Sequence, residues 1–195
     1  MNDYGLDLAV IGNGRIAALI DPASKIVWWR FPRFDDDPNF CQLLSRIEEK
    51  GFFGIVLDDA AEVQSNYVRH TAILSTAFND RRSGAVRVTG FAARFRQFGR
   101  VFGPLQLLRV IEPLGGLPHV TKRIRPTHSY DQLIPFHSVR SNHIRYPGAI
   151  NEIRTKIKPA SNARCKGFWQ AMPSCARRPS TETRLNVILN LSFIS

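Results

Sequence analysis

Eight short apolar runs, each closed by turn residues within a few positions, leave this chain few ways to fold. In order they read LDLAVIG, RIAALID, KIVWWRF, FFGIVL, TAILSTAF, AVRVTGF, LQLLRVIEPL and HVTKRIRP, all within residues 1–146. Their lengths, and their content of Val, Ile, Thr, Phe and Trp, suit strands, because branched and aromatic side chains pack well on a pleated surface. Between them lie Asn13-Gly14, DPAS at 21–24, NDRRSG at 79–84 and LGGLP at 114–118. Turn chemistry at this spacing predicts antiparallel hairpins. The predicted fold is mainly β: an antiparallel β-sandwich with one short amphipathic helix, followed by an irregular basic C-terminal tail.

The helix is expected in DDPNFCQLLSRIEEKG. There Phe40, Leu43, Leu44 and Ile47 recur at i, i+3, i+4 and i+7 and so share one helical face. Asp37 is placed to cap it, Pro38 suits its first position, and Gly51 can close it.

After Tyr146 the character changes. Residues 147–195 carry 8 Lys/Arg against 2 Asp/Glu, over half of the chain's net charge of +11. They are punctuated by Pro and Ser and keep no period of 2 or 3.6, although NVILNLSFI at 186–194 reads either as one more strand or as an apolar end. The expected organisation is therefore a sandwich domain over 1–146 and a divergent tail over 147–195. A basic balance of this size favours contact with polyanions without making that a biological role.

Three cysteines, Cys41, Cys165 and Cys175, are too few and too scattered for a disulfide framework or a zinc site, which predicts a reducing compartment. The N-terminus has no basic segment followed by an apolar run, and nothing approaches the length of a membrane span. A cytoplasmic protein with no membrane partner is expected.

Four constellations invite a chemical reading. Gly12, Gly14 and Ala17 spell the opening of a dinucleotide-binding turn, but Pro22 arrives before the helix that would hold a pyrophosphate, and KIVWW ends in Arg30 rather than an acidic residue. A β-hairpin turning at Asn13-Gly14 is the better reading. Asp35, Asp36 and Asp37 cannot all face one cation, so a helix cap with solvated neighbours is expected. His119, His128, His137 and His143 show no metal-ligand spacing, and no nucleophile elbow is present. Finally, Arg94, Arg96, Arg100 and Arg109 are interleaved with Phe91, Phe95, Phe98 and Phe102, a composition suited to stacking on bases, a sugar or another protein domain.

The stretch IGNGRIAALIDPASKIVWWRFPRFDDDPNFCQLL resembles the opening signature of the trehalase-like N-terminal domain of bacterial family-15 glycoside hydrolases, the glucoamylase and trehalase group. Arg15, Ala17, Ala18, Leu19, Trp28, Pro32, Arg33, Phe34, Asp35, Phe40 and Leu44 fill matching places. YVRHTAILSTAF, GAVRVTGFAARFRQFGR, LPHVTKRIRPTHSY and SNHIRY extend the resemblance over residues 5–146. It departs at Gly90 and Asp36, where Asp and Ser are usual, and altogether after Tyr146.

The resemblance implies a β-sandwich that packs on an (α/α)6 barrel, whose two glutamates hydrolyse an α-glucoside with inversion. This chain does not include that barrel, and the resemblance gives neither Glu62 nor Glu112 a catalytic role. The expected function is a non-catalytic module, inactive alone, needing no cofactor and no metal, whose partner is an absent or separately encoded barrel. Any α-glucoside would be met through that barrel. The loop at Arg33, Phe34 and Asp35 is expected to be the docking edge. The tail reads as a lost reading frame or a real fusion; a lost frame predicts missing final strands, an open sheet edge and low solubility. The competing reading is a small basic β-rich protein that binds nucleic acid or glycans through the Arg and Phe run.

Overall fold

The computed structural model describes residues 7–45, 47, 49–116, 118–130, 132, 137–139, 143–147, 152–159 and 187–192, the last two segments as backbone. Its strands, in chain order, are β1 (Ala9–Gly12), β2 (Ala17–Ile20), β3 (Ile26–Arg30), β4 (Pro38–Cys41), β5 (Phe52–Leu57), β6 (Ala60–Tyr67), β7 (Leu74–Asp80), β8 (Ala85–Ala92), β9 (Phe95–Gln97), β10 (Arg100–Phe102), β11 (Gln106–Gly115), β12 (Val120–Arg125), β13 (Ser138–Val139), β14 (His143–Pro147), β15 (Glu152–Pro159) and β16 (Val187–Ser192). All eight apolar runs of the sequence are strands: β1, β2, β3, β5, β7, β8, β11 and β12.

Two antiparallel sheets form the body. One has the order β1-β2-β3-β5-β12 with β4 on β3, and the other the order β13-β14-β15-β16-β11-β8-β7-β6. Their inner faces share one core. Ile11, Ala18, Ile20, Trp29, Phe53 and Ile55 come from the first sheet, and Leu74, Phe78, Val86, Val88, Leu107 and Ile111 from the second. In β8, Val86, Val88, Gly90 and Ala92 point inward while Arg87 is exposed, which is the period of 2 expected of a sheet covered on one face. Aromatic stacking adds to the centre, with the Trp29 and Phe40 rings 5.9 Å apart and inclined at 18°.

The expected helix is not formed. Its first residues make β4, which pairs Trp28 with Cys41 and Trp29 with Phe40, and a single 3-10 turn follows at Gln42–Leu44. Tertiary pairing wins over local periodicity here, because the strand puts Phe40 against Trp29, whereas Leu44 at 62% and Ile47 at 48% exposure show that no helical face is buried. Asp37 caps no helix; it accepts hydrogen bonds from the backbone N–H groups of Ser129 and Tyr130. Gly51 does need its φ of +68°, but for a close approach: a Cβ there would lie 2.9 Å from the Gln42 nitrogen, across the bond from Gln42 N–H to Gly51 O.

The tail also departs from expectation where it is described. β15 and β16 belong to the second sheet, and β16 runs antiparallel along β11 from Gln106↔Ser192 to Ile111↔Val187. The tail expected to be irregular thus supplies β15, NVILNLSFI forms β16 as one of its two readings allowed, and β11 is paired on both sides, with β8 and β16. Residues 160–186, with Cys165 and Cys175, lie outside the described residues. Cys41 is buried, with its Sγ 3.2 Å from the Thr127 hydroxyl. Among the described residues, no helix is long and apolar enough to cross a membrane.

Candidate functional site

Polar bonds at one end of the sandwich hold a cationic and aromatic edge in place. The β1–β2 hairpin turns at residues 13–16, with Gly14 at φ +87° and Asn13 N–H donating to Ile16 O at 3.2 Å. This confirms the hairpin reading of the glycine motif. Asn13 is 6% exposed, and its side chain is fully used. Its Oδ1 accepts from the backbone N–H groups of Arg15 and Ile16, while its Nδ2 donates to Ala93 O and Pro104 O, both at 2.9 Å. A buried amide with every group satisfied fixes the turn to the segment that enters and leaves β9 and β10.

Next to this turn lies the 31–37 loop, entered from β3. Arg30 braces it: Nη1 donates to Phe34 O and Nη2 to the Tyr130 hydroxyl, both at 2.8 Å, with the guanidinium 5.3 Å from the Trp28 ring. Within the loop Arg33 and Asp35 form a bidentate pair, Nε to Oδ1 and Nη2 to Oδ2 at 2.9 Å each. Both side chains are well exposed, so the pair shapes the loop more than it stabilises the fold. Backbone and Arg33 hydrogen bonds hold the Asp35 carboxyl below its usual range. Phe34 projects with 55% exposure.

The three residues expected to form the docking edge therefore stand together, on the rim of an open groove lined by Gly14, Arg15, Arg30, Pro32, Arg33, Phe34, Asp35 and Leu105. The sequence pointed to the loop through its matched signature. Asn13, Arg30 and Tyr130 were missed as its supports: Asn13 drew notice only as a turn residue, and the Arg30 to Tyr130 bond spans 100 positions.

The interleaved Arg and Phe run divides. Arg94, Arg96, Arg100, Phe95, Phe98 and Phe102 are exposed on or beside β9 and β10, which pair with each other as a separate two-stranded ribbon. Arg109 is instead 1% exposed inside the sandwich. It donates to the Ser24 carbonyl and hydroxyl and, at 3.5 Å, to Phe53 O, with its guanidinium 5.2 Å from the Phe53 ring. Burial pulls its pKa down to about 10, partly opposed by Asp21. The inward position in β11 rather than the residue type decides this, since Leu107 and Ile111 flank it on the same face.

Other carboxylates have structural partners. Asp21 accepts from Lys25 N–H at 2.7 Å, Asp80 from the N–H groups of Arg82 and Gly84, and Asp58 is joined to His119. Glu62 accepts from Asn79 on the exposed edge strand β6. Among the described residues no three His, Cys, Asp or Glu gather as metal ligands.

The antiparallel sheets thus present an ordered Arg and aromatic edge. Residues 6–111, from the entry to β1 into β11, match the family described as Trehalase-like, N-terminal. The chain belongs to that family, which makes it a glycoside-hydrolase-related N-terminal module. Comparison with curated proteins and with solved structures gives no match.

Proposed function

We propose that this chain is the non-catalytic N-terminal module of a cytoplasmic family-15 glycoside hydrolase of the glucoamylase and trehalase type. The module is the sandwich over 1–146, joined in its second sheet by β15 and β16 from the 147–195 tail. It docks through Arg33, Phe34 and Asp35 on an (α/α)6 catalytic barrel and meets α-glucosides through that barrel alone. One observation carries the reading. Among the described residues, the groove beside the family signature is lined by one carboxylate, Asp35, which is paired with Arg33 and stands among Arg15 and Arg30. Inverting hydrolysis needs two carboxyls, one protonated and one ionised, at roughly 6.5–9.5 Å. A carboxyl held low by its hydrogen bonds cannot serve as the acid near neutral pH.

The test is binding. A catalytic barrel of a bacterial family-15 hydrolase, produced without its own N-terminal domain, is expected to co-elute with the 195-residue chain in size-exclusion chromatography and to melt at a higher temperature in its presence. The double variant Arg33→Glu, Phe34→Ala should weaken the complex at least tenfold. A barrel that elutes apart from the wild-type chain, with its melting temperature unchanged, contradicts the reading.

A further inference from the structure

The β9–β10 ribbon leaves four large apolar side chains in water: Phe95, Phe98, Val101 and Phe102 are all exposed. Phe95 and Phe102 face each other across it, stacked at 5.8 Å, and remain 49% and 41% exposed. Gln97 pairs with Arg100, so the loop between them is two residues long. Phe98 and Gly99 fill it at φ +49° and +73°, the geometry of a type I′ turn. That turn favours Asn or Gly at its first position, and a bulky aromatic there is strained. Phe98 nevertheless occupies it, 92% exposed at the very tip. A ring held in a disfavoured conformation, in water, at the end of a ribbon is placed to enter something.

Charge indicates what. Arg94, Arg96 and Arg100 surround these rings, all exposed, and among the described residues none of the three forms a salt bridge. The ribbon is also not a free arm. Its base is fixed at Ala93 O and Pro104 O by Asn13, and Arg15 Nη1 donates to Gly103 O at 3.4 Å. Arg15 also lines the groove beside Arg33 and Phe34. Ribbon and loop are therefore parts of one continuous cationic and aromatic edge.

We propose that the ribbon is the second half of the docking surface, and that its partner is the catalytic barrel, through an apolar pocket that receives Phe98 inside a rim of carboxylates that face Arg94, Arg96 and Arg100. This inference rests on the functional reading above and adds to it the partner's surface chemistry. A protein pocket fits better than nucleic acid. Phe95 and Phe102 stack on each other instead of offering successive faces to bases, and Asp35 and Asp36 on the same edge oppose phosphate.

Three chains separate the outcomes: wild type, Phe98→Ala, and the triple variant Arg94→Glu, Arg96→Glu, Arg100→Glu, each titrated against the isolated barrel at low and at 0.5 M salt. The wild type should bind, less tightly in high salt; Phe98→Ala should lose at least tenfold; and the triple variant at least a hundredfold, with little salt dependence left. Photoreactive benzoylphenylalanine at position 98 should crosslink to the barrel, and at Arg82, beyond the other end of β8, should not. Wild-type affinity in both variants, without a crosslink from position 98, overturns the ribbon's role while the module reading stands. Failure of the wild type to bind overturns both. Binding of a twenty-residue oligothymidylate that Phe98→Ala abolishes would assign the ribbon to single-stranded nucleic acid instead.

Discussion

Arg109→Ala is expected to destabilise the domain by about 3–5 kcal/mol, a large share of what a domain of this size possesses. The side chain ties the two sheets together. It leaves β11 in one sheet and donates to Phe53 O of β5 and to Ser24 between β2 and β3 in the other. Its loss leaves buried acceptors without a donor, at about 1–3 kcal/mol each, and opens a cavity in a packed face. Ser24, held at φ +60°, also loses the contacts that fix it there. Arg109→Met separates the contributions, since it keeps most of the volume but none of the donors and should recover part of the loss. Thermal melts followed by near-ultraviolet circular dichroism provide the check. An Arg109→Ala chain that melts within a degree or two of wild type would contradict a role for Arg109 as the tie between sheets.

The opposite sign is expected at Gly90. This glycine lies on the inner face of β8, cross-strand from Arg109, at a position where the family resemblance has Asp. A Cβ there would meet Ile11 Cδ1 at 3.6 Å and Arg109 Nε at 4.0 Å, ordinary contacts that leave room for a side chain directed at the guanidinium. Arg109 Nε is buried and makes no hydrogen bond, and burial already draws the guanidinium to a pKa of about 10. Gly90→Asp would give this cation a carboxylate at hydrogen-bond range.

The gain is set against the cost of burying the carboxylate. Pairing a charge that is already buried, together with removing a strand glycine, should leave a net stabilisation of roughly 1–2 kcal/mol. Gly90→Ala isolates the glycine contribution and should yield less than half of this. Gly90→Asp in an Arg109→Met background should be destabilising, because the same carboxylate is then buried alone. A lower melting temperature for Gly90→Asp than for Gly90→Ala, with Arg109 present, would show that desolvation outweighs the pair.

Position 90 also shows what kind of information the sequence carries. Strands defined by their own apolar runs were legible, since each is a local pattern. β6 was not, because AAEVQSNY is exposed along its whole length and has no apolar alternation to display. β4 was masked by the helical spacing of Phe40, Leu43, Leu44 and Ile47, a local signal that the pairing with β3 overrides. β15 is obscured by the basic, proline-punctuated composition around it, whereas the apolar run NVILNLSFI offers β16 as one of its two readings.

The site divides along the same line. Arg33, Phe34 and Asp35 stand out in the sequence through a contiguous motif, and the Arg and Phe run through its composition. Composition does not reveal which face of a strand a residue occupies, so Arg109 was grouped with the surface arginines although β11 turns it inward. Asp37 reads locally as a helix cap, whereas its carboxylate accepts from the N–H groups of Ser129 and Tyr130, more than ninety positions away. Long-range polar bonds leave no local trace.

The central claim is that this chain carries no hydrolytic chemistry of its own. Glucose release from trehalose and from maltooligosaccharides by the purified chain, measured alone and with the isolated barrel added, tests it most directly. The account predicts no release above the solvent blank by the chain alone between pH 4 and 8, and release with the barrel present that survives Asp35→Asn. Glucose released by the chain alone, and abolished by Asp35→Asn, would contradict it.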